Sequence, residues 1–232
     1  VLDVTASPNF DRLAPHYLWL ERVSFGRRLH RCRTAMVPHV AACKSVLIVG
    51  EGDGRFLVDF IKANPDAAVD CIDISPGMTA LARQRVSRQS GGSDRVTFHV
   101  ADVRRDPLPG QQYDLVVTNF LLDCFPTDEL GPVVARLAAA TSPGAHWIVG
   151  DFTRPRSAWT RPAAELVLAG MYFFFRTTTR ISGSRLIDPS PDLLANGFLV
   201  QKNESWLSGF LTSTLWRRST PDDQSNGANN KG

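Results

Sequence analysis

Between residues 45 and 151 the chain alternates between two spacings of its hydrophobic positions. Short, apolar-rich stretches at 45–49, 68–72, 96–100, 115–118 and 145–150 read as strands. The segments between them carry helix spacing. In 55–64, Phe56, Leu57, Phe60 and Ile61 fall on one face, and Pro65 ends the run. Pro76 opens a second helix through Met78, Leu81, Ala82 and Val86, closed by Gly91 and Gly92. Thr127 or Asp128 is placed to cap a third helix over 129–141, after which Pro143 and Gly144 turn the chain into the fifth strand. Alternation of this kind predicts a mostly parallel sheet with helices on both faces.

After Asp151 the pattern changes. Residues 162–175 read as a helix with a wide apolar face, and a short helix from Pro189 or Pro191 to Ala195 precedes Asn196 and Gly197. Two further strands, 198–205 and 210–217, joined around Leu207, Ser208 and Gly209, predict an antiparallel hairpin at the sheet edge. The expected fold is therefore α/β, a seven-stranded, mostly parallel Rossmann-like sheet ending in an antiparallel hairpin. Residues 1–44 read as an N-terminal helical lid, 45–218 as the main domain, and 219–232 as a polar, disordered tail.

Composition narrows the class. The chain has 232 residues, 43% of them hydrophobic, enough for one substantial core. Its net charge of +3 is scattered, which does not argue for a nucleic-acid partner; the densest basic group is Arg27, Arg28, Arg31 and Arg33 beside His30. Four cysteines without a C-x-x-C pair suggest a reduced, metal-free, cytoplasmic protein. The longest apolar run, 166–175, is well short of the ~20 residues that span a bilayer, so no membrane span is expected.

Candidate chemistry gathers at the strand ends. The first strand runs into Gly50, Glu51, Gly52, Asp53 and Gly54, a turn whose alternate glycines let a ligand approach the backbone closely. A dinucleotide loop would carry a third glycine where Arg55 stands, which weighs against a nucleotide-dependent oxidoreductase. Asp73 ends the second strand about twenty residues on, where a carboxylate accepts bonds from a ribose diol. Asp102 ends the third strand and Asn119 the fourth, and ligands of such sheets bind outside these carboxyl ends. Each residue also has a local reading: Asp73 as a cap with Ser75, Asp102 as the start of a turn through Arg104, Arg105 and Asp106, and Asn119 as a partner of nearby backbone.

With Gly50 to Gly54, Asp73, Ala101 and Asp102, the block 113–119 and the block 142–149, the chain resembles the class I S-adenosylmethionine-dependent methyltransferases over about residues 10–217. It is most similar to the small-molecule branch that includes the ubiquinone and menaquinone enzymes, whose N-terminal segment 10–17 resembles. The resemblance implies S-adenosylmethionine as cofactor, with Gly50, Gly52 and Gly54 against its methionine part and Asp73 on the ribose. It also implies Ile74 and Met78 on the adenine, Asp102 and Val103 at the adenine edge, Asn119 and Phe120 near the reacting methyl, and Tyr17 as a cover. The family's usual acid two positions before the first glycine is Ile48 here, so Glu51 is the candidate partner for the cofactor's ammonium. The implied reaction is methyl transfer to a small, apolar or aromatic acceptor at oxygen or carbon. A non-catalytic binding or scaffolding protein of the same fold is the alternative.

A dedicated base is optional in such a reaction, and Asp123, His16 and Asp151 are the weak candidates. Asp102, Asp123 and Asp151 are too dispersed in the sequence to be read as a metal cluster, and none is expected. The absence of an Asn-Pro-Pro-Tyr type motif after Asn119 lowers the expectation of nucleobase methylation.

Overall fold

A computed structural model of the chain describes residues 27–89, 93–153 and 187–220. The expected helix over 162–175, most of the expected lid with His16 and Tyr17, and nearly all of the expected tail lie outside the described residues. Seven strands form one sheet in the order β3-β2-β1-β4-β5-β7-β6, with β1 Ser45–Val49, β2 Ala68–Asp73, β3 Val96–Val100, β4 Tyr113–Asn119, β5 Thr141–Phe152, β6 Phe198–Trp206 and β7 Leu211–Arg218. β1 to β5 run parallel to one another.

The hairpin forms as expected, but β7 pairs antiparallel with both β5 and β6. It lies inside the sheet, and β6 is the edge. Burial explains the order: Leu211, Leu215 and Trp216 of β7 are enclosed, whereas Leu199 and Val200 of β6 are 56% and 54% exposed. A strand with so many enclosed apolar side chains needs neighbours on both sides.

Helices cover both faces. These are α1 Arg28–Thr34, α2 Arg55–Ala63, α3 Pro76–Ser87, α4 Thr127–Ala139 and α5 Ser190–Ala195. Val46 and Ile48 of β1 point into one core with Phe56, Phe60 and Ile61 of α2, while Leu47 and Val49 point into the other with Leu130, Val134 and Leu137 of α4. Burying both faces of a strand is why its sequence reads as an unbroken apolar block. Each large side chain so enclosed contributes roughly 1.5–3 kcal/mol. Residues after α1 join the first core through Met36, Val37 and Val40, and α1 itself sends Leu29 and Cys32 against Phe152, Phe210 and Leu211.

Two boundaries differ from the sequence reading. Thr127 and Asp128 lie inside the first turn of α4, with Pro126 at the cap position. β5 begins at Thr141, so Pro143 and Gly144 do not precede the strand. They fall in an irregularity where the register jumps from Tyr113 opposite Thr141 to Leu115 opposite His146. A bulge absorbs residues with turn chemistry without ending the pairing. Among the described residues no helix is long and apolar enough to cross a membrane.

Candidate functional site

Strand order reverses between β1 and β4, and the crevice outside their carboxyl ends is where open α/β sheets place ligands. The glycine turn enters it with Gly50 N donating to Ile72 O at 2.8 Å. Asp73, the last residue of β2, holds the turn in place: its Oδ2 accepts from Gly52 N at 3.0 Å and its Oδ1 from Ser75 N at 2.9 Å. Ser75 Oγ in turn accepts from Met78 N at 3.1 Å and caps α3. Burial pushes the Asp73 carboxyl up, and the two amides hold it back. An ionised carboxylate has about four acceptor positions, so two amides leave it capacity for ligand hydroxyls.

The glycines of the turn do different work. Gly52 has φ +72°, and among the described residues nothing lies within 4 Å of where its Cβ would stand. It fronts open space. Gly54, at φ +85°, would place a Cβ 2.7 Å from Ala82 Cα, so here the missing side chain lets α2 and α3 approach. Gly54 thus has a packing role that the resemblance alone did not suggest. Asp53 between them accepts from Arg55 Nε at 3.1 Å and from Arg85 Nη2 at 3.0 Å, which fastens the turn to both helices.

Glu51 folds back over α2, its Oε1 accepting from Leu57 N at 2.9 Å. Burial pushes its carboxyl up to about 8; the Leu57 amide and the Arg33 charge oppose that rise, and Asp53 and Asp73 add to it. At neutral pH it holds a proton for much of the time.

On the other flank, Ile74 is half-buried, and Met78 and Val103 are buried. Asp102 is claimed by its own neighbours. Arg104 grips it through Nε at 2.9 Å and Nη2 at 2.8 Å, Arg105 Nε adds a bond at 2.9 Å, and Arg104 Nη1 also reaches Glu129 at 3.1 Å. Burial alone would raise the Asp102 carboxyl, but the Arg104 and Arg105 hydrogen bonds prevail and hold it at about 2. Backbone bonds from Arg105 N and Asp106 N to Asp102 O form the turn that the local reading of this residue anticipated.

β4 delivers Asn119 and Phe120 to the crevice. Phe120 has φ +56°, and its ring stands 4.9 Å from that of Phe152, with Arg33 Cζ 5.3 Å from its centre. Leu121 then packs on Gly50, with Leu121 Cδ1 at 2.8 Å from the position of a Cβ there. Neither Nδ2 nor Oδ1 of Asn119 has a hydrogen-bond partner among the described residues, although both atoms are buried. The local reading of Asn119 as a partner of nearby backbone is therefore not met.

The sequence reading kept Asp123 and Asp151 apart; the fold joins them. Asp123 sits in the 3-10 turn Leu122–Cys124 after β4 and Asp151 near the end of β5, 8% and 4% exposed, near enough to perturb each other, while Asp151 Oδ2 is buried without a hydrogen-bond partner among the described residues. Asp151 Oδ1 also accepts from Phe152 N at 2.8 Å, and the Cys124 thiol lies 3.7 Å from Asp123 Oδ1. Burial raises both groups. Asp123 rises to about 6, and Asp151, repelled also by Asp123 and Asp188, rises well above the usual carboxylate range. The two carboxyls therefore titrate as a pair whose burial favours keeping a proton. Asp102 stays apart from them, and among the described residues no group of three or more such side chains is arranged to hold a metal ion.

Residues 46–144 match a family model described as "Methyltransferase domain". A ubiquinone/menaquinone biosynthesis C-methyltransferase of Geobacter sulfurreducens is 28% identical over 152 residues, covering 64% of this chain and 58% of that protein. A ribosomal protein uL3 glutamine methyltransferase of Bradyrhizobium diazoefficiens is 34% identical over 85 residues, 37% of this chain and 26% of that protein. The chain thus spans less than two thirds of the length of these relatives. Among solved structures, an O-methyltransferase family protein from Burkholderia thailandensis superposes with a TM-score of 0.66 at 19% identity, over 90% of this chain and 62% of that one. Magnesium protoporphyrin IX methyltransferase from Synechocystis, crystallised with S-adenosylhomocysteine, gives 0.64 at 21% identity, over 90% of this chain and 97% of that one. Residues 46–144 thus carry the sequence pattern of a methyltransferase domain, and the sheet that holds them has the fold of these solved methyltransferases.

Proposed function

We propose that the chain transfers a methyl group from S-adenosylmethionine to a small acceptor with an apolar or aromatic body, at oxygen or carbon. The observation that carries this reading is the Asp73 junction: a carboxylate that fixes Gly52 in front of open space while keeping acceptor capacity beside it. The residues present fit the cofactor. Asp73 takes the ribose hydroxyls, Gly50 and Gly52 lie along the methionine part, Ile74 and Met78 flank the adenine, and Asp102 and Val103 border its edge. Glu51 takes the ammonium through its second carboxyl oxygen. When bound, the cofactor supplies a methyl group on an already activated sulfonium, so the chain has chiefly to align the acceptor and exclude water.

For a hydroxyl acceptor, Asp123, the less strongly raised member of the Asp123–Asp151 pair, takes the proton as the new bond forms. Two of the similar proteins are named for quinone biosynthesis and for magnesium protoporphyrin IX, which supports a planar acceptor. Calorimetry with S-adenosylmethionine, S-adenosylhomocysteine and NADH tests the cofactor, and transfer of tritiated methyl to a panel of phenols and quinols tests the acceptor. Binding of both sulfur compounds but not NADH is expected; binding of neither overturns the reading.

A further inference from the structure

We infer that β6 is an interface between two copies of this chain, paired antiparallel about Asn203 so that Lys202 of each copy stands opposite Glu204 of the other. The inference is independent of the cofactor reading and concerns the edge of the sheet away from the crevice.

The first observation is the open edge. β6 is the last strand in the order, nine residues long, and among the described residues no strand lies beyond it. An edge of that length leaves a row of backbone amides and carbonyls ready to pair with another strand. Exposed apolar residues stand at both of its ends: Leu199 and Val200 at one, and Leu207, 38% exposed, just past the other. Leu207 also takes φ +53°, in a turn where asparagine or glycine is the usual choice. Antiparallel pairing of two copies brings each apolar end against the opposite end of the other copy, so these side chains gain cover that one copy does not supply.

The second observation is the charge pattern, which selects the occupant. Lys202 and Glu204 lie on one face of β6, opposite Leu215 and Ser213 of β7. Lys202 Nζ stands 3.4 Å from Glu204 Oε1 and 2.8 Å from His39 Nε2, and both charged side chains are 40% exposed. A lysine has three donors and a carboxylate about four acceptor positions, so both keep capacity for a partner across the edge. A twofold axis through Asn203 sets cation against acid twice, on the shared face that cross-strand pairs require. A bulge at Gln201, where the register with β7 shifts between Val200 and Lys202, moves Val200 to the other face. Counted past that bulge, Leu199 of one copy comes opposite Trp206 of the other, and Val200 opposite Ser205. Bulges and charges on an edge discourage pairing with an arbitrary strand, whereas a strand with the reversed charge order meets opposite charges. β3, the sheet's other edge, has five residues, Val-Thr-Phe-His-Val, and no acid to match Lys202. Joining β6 to β3 of the next copy would also run on without end, while β6 on β6 closes as a dimer.

Sedimentation velocity of the full chain from about 1 µM to about 500 µM should show monomer giving way to dimer, a range suited to the weak association of a small interface. Lys202→Glu and Glu204→Lys, each alone, should weaken the dimer about tenfold or more, because each sets like charges opposite each other. Mixed in equal amounts, the two variants should associate at least as readily as the wild-type chain, and a chain carrying both changes should regain wild-type association. Hydrogen exchange of the wild-type chain reads the same surface without a substitution: amides of β6 that exchange fast in dilute solution should slow at high concentration. A wild-type chain that stays monomeric throughout overturns the inference. So does a dimer that both charge reversals leave unchanged, or one whose slowed amides lie outside β6, because it forms through another surface. Loss in both variants with no recovery in the mixture also overturns it, since that marks a structural role for the two residues; hydrogen exchange decides where a variant does not fold.

Discussion

Alanine at Gly54 and alanine at Gly52 should behave as opposites, although the two glycines sit two residues apart in one turn. At Gly54 the new Cβ would stand 2.7 Å from Ala82 Cα, 3.0 Å from Ala82 Cβ and 3.3 Å from Ala82 O. The first and last of these are backbone atoms of α3, which cannot swing aside as a side-chain tip does. Overpacking of this kind costs about 1–3 kcal/mol, and a left-handed alanine adds about 1–2 kcal/mol, so Gly54→Ala should lose about 2–5 kcal/mol. In thermal unfolding that is a fall of roughly 4–20 °C for a chain of this size. Gly52 shares the left-handed backbone but among the described residues has nothing within 4 Å, so Gly52→Ala should lose only the backbone share of about 1–2 kcal/mol. Its methyl would instead occupy the space the cofactor is proposed to fill, weakening S-adenosylhomocysteine binding by about tenfold or more. Urea unfolding read by circular dichroism, with calorimetry on the same samples, measures both. A loss below about 1 kcal/mol at Gly54, or equal destabilisation by the two variants, would refute this division of labour.

Three further outcomes are expected. Asp102 is held at about 2, below its ordinary value of 3.8, so its contribution is full above pH 4 and disappears as pH falls through 2. Asp102→Asn should therefore cost about 2 kcal/mol in urea unfolding at pH 7 and little near pH 2; equal costs at both pH values would contradict the Arg104 grip. Glu51 is raised to about 8 from 4.5, so the folded chain binds more protons than the unfolded one and stability falls as pH rises from 4.5 to 8. Glu51→Gln should flatten that slope. It should also abolish the proton release on S-adenosylhomocysteine binding, measured by calorimetry at pH 7 in two buffers of different ionisation enthalpy; unchanged proton release excludes Glu51 as the ammonium partner. Asp123→Asn should lower kcat for a hydroxyl acceptor by about 10²–10⁴-fold and remove the rate limb near pH 6, with S-adenosylhomocysteine affinity unchanged. A retained limb would assign the proton elsewhere.

What the residues disclosed on their own follows from how local each cause is. β1 and β3 were legible to the residue, β1 as a short apolar block and β3 as an alternation of Val96, Phe98 and Val100 with Thr97 and His99. Asp73 was legible because its distance from the glycine turn is set by one βαβ unit. The start of β5 was misplaced, since Pro143 and Gly144 carry turn chemistry and only the pairing partner shows that they sit in a bulge. The place of β7 was hidden too. A hairpin signal fixes which strands pair but not which of the two enters the sheet, although the apolar density of Leu211, Leu215 and Trp216 against exposed Leu199 and Val200 was a usable hint. Asp123 and Asp151 meet only because β4 and β5 are neighbours across α4, and the grip of Arg104 on Asp102 depends on rotamers that spacing does not reveal.

The order of the last two strands also dictates when the molecule becomes whole. During synthesis β5 leaves the ribosome with one flank already matched to β4, while the backbone amides and carbonyls from His146 to Phe152 wait for residues 211–218. Until then an apolar strand in the middle of the eventual sheet presents an open edge, the kind of surface that recruits other chains. The floor of the proposed acceptor site, where Asp151 lies opposite Thr212, is thus completed late, after the last strand of the sheet has been made.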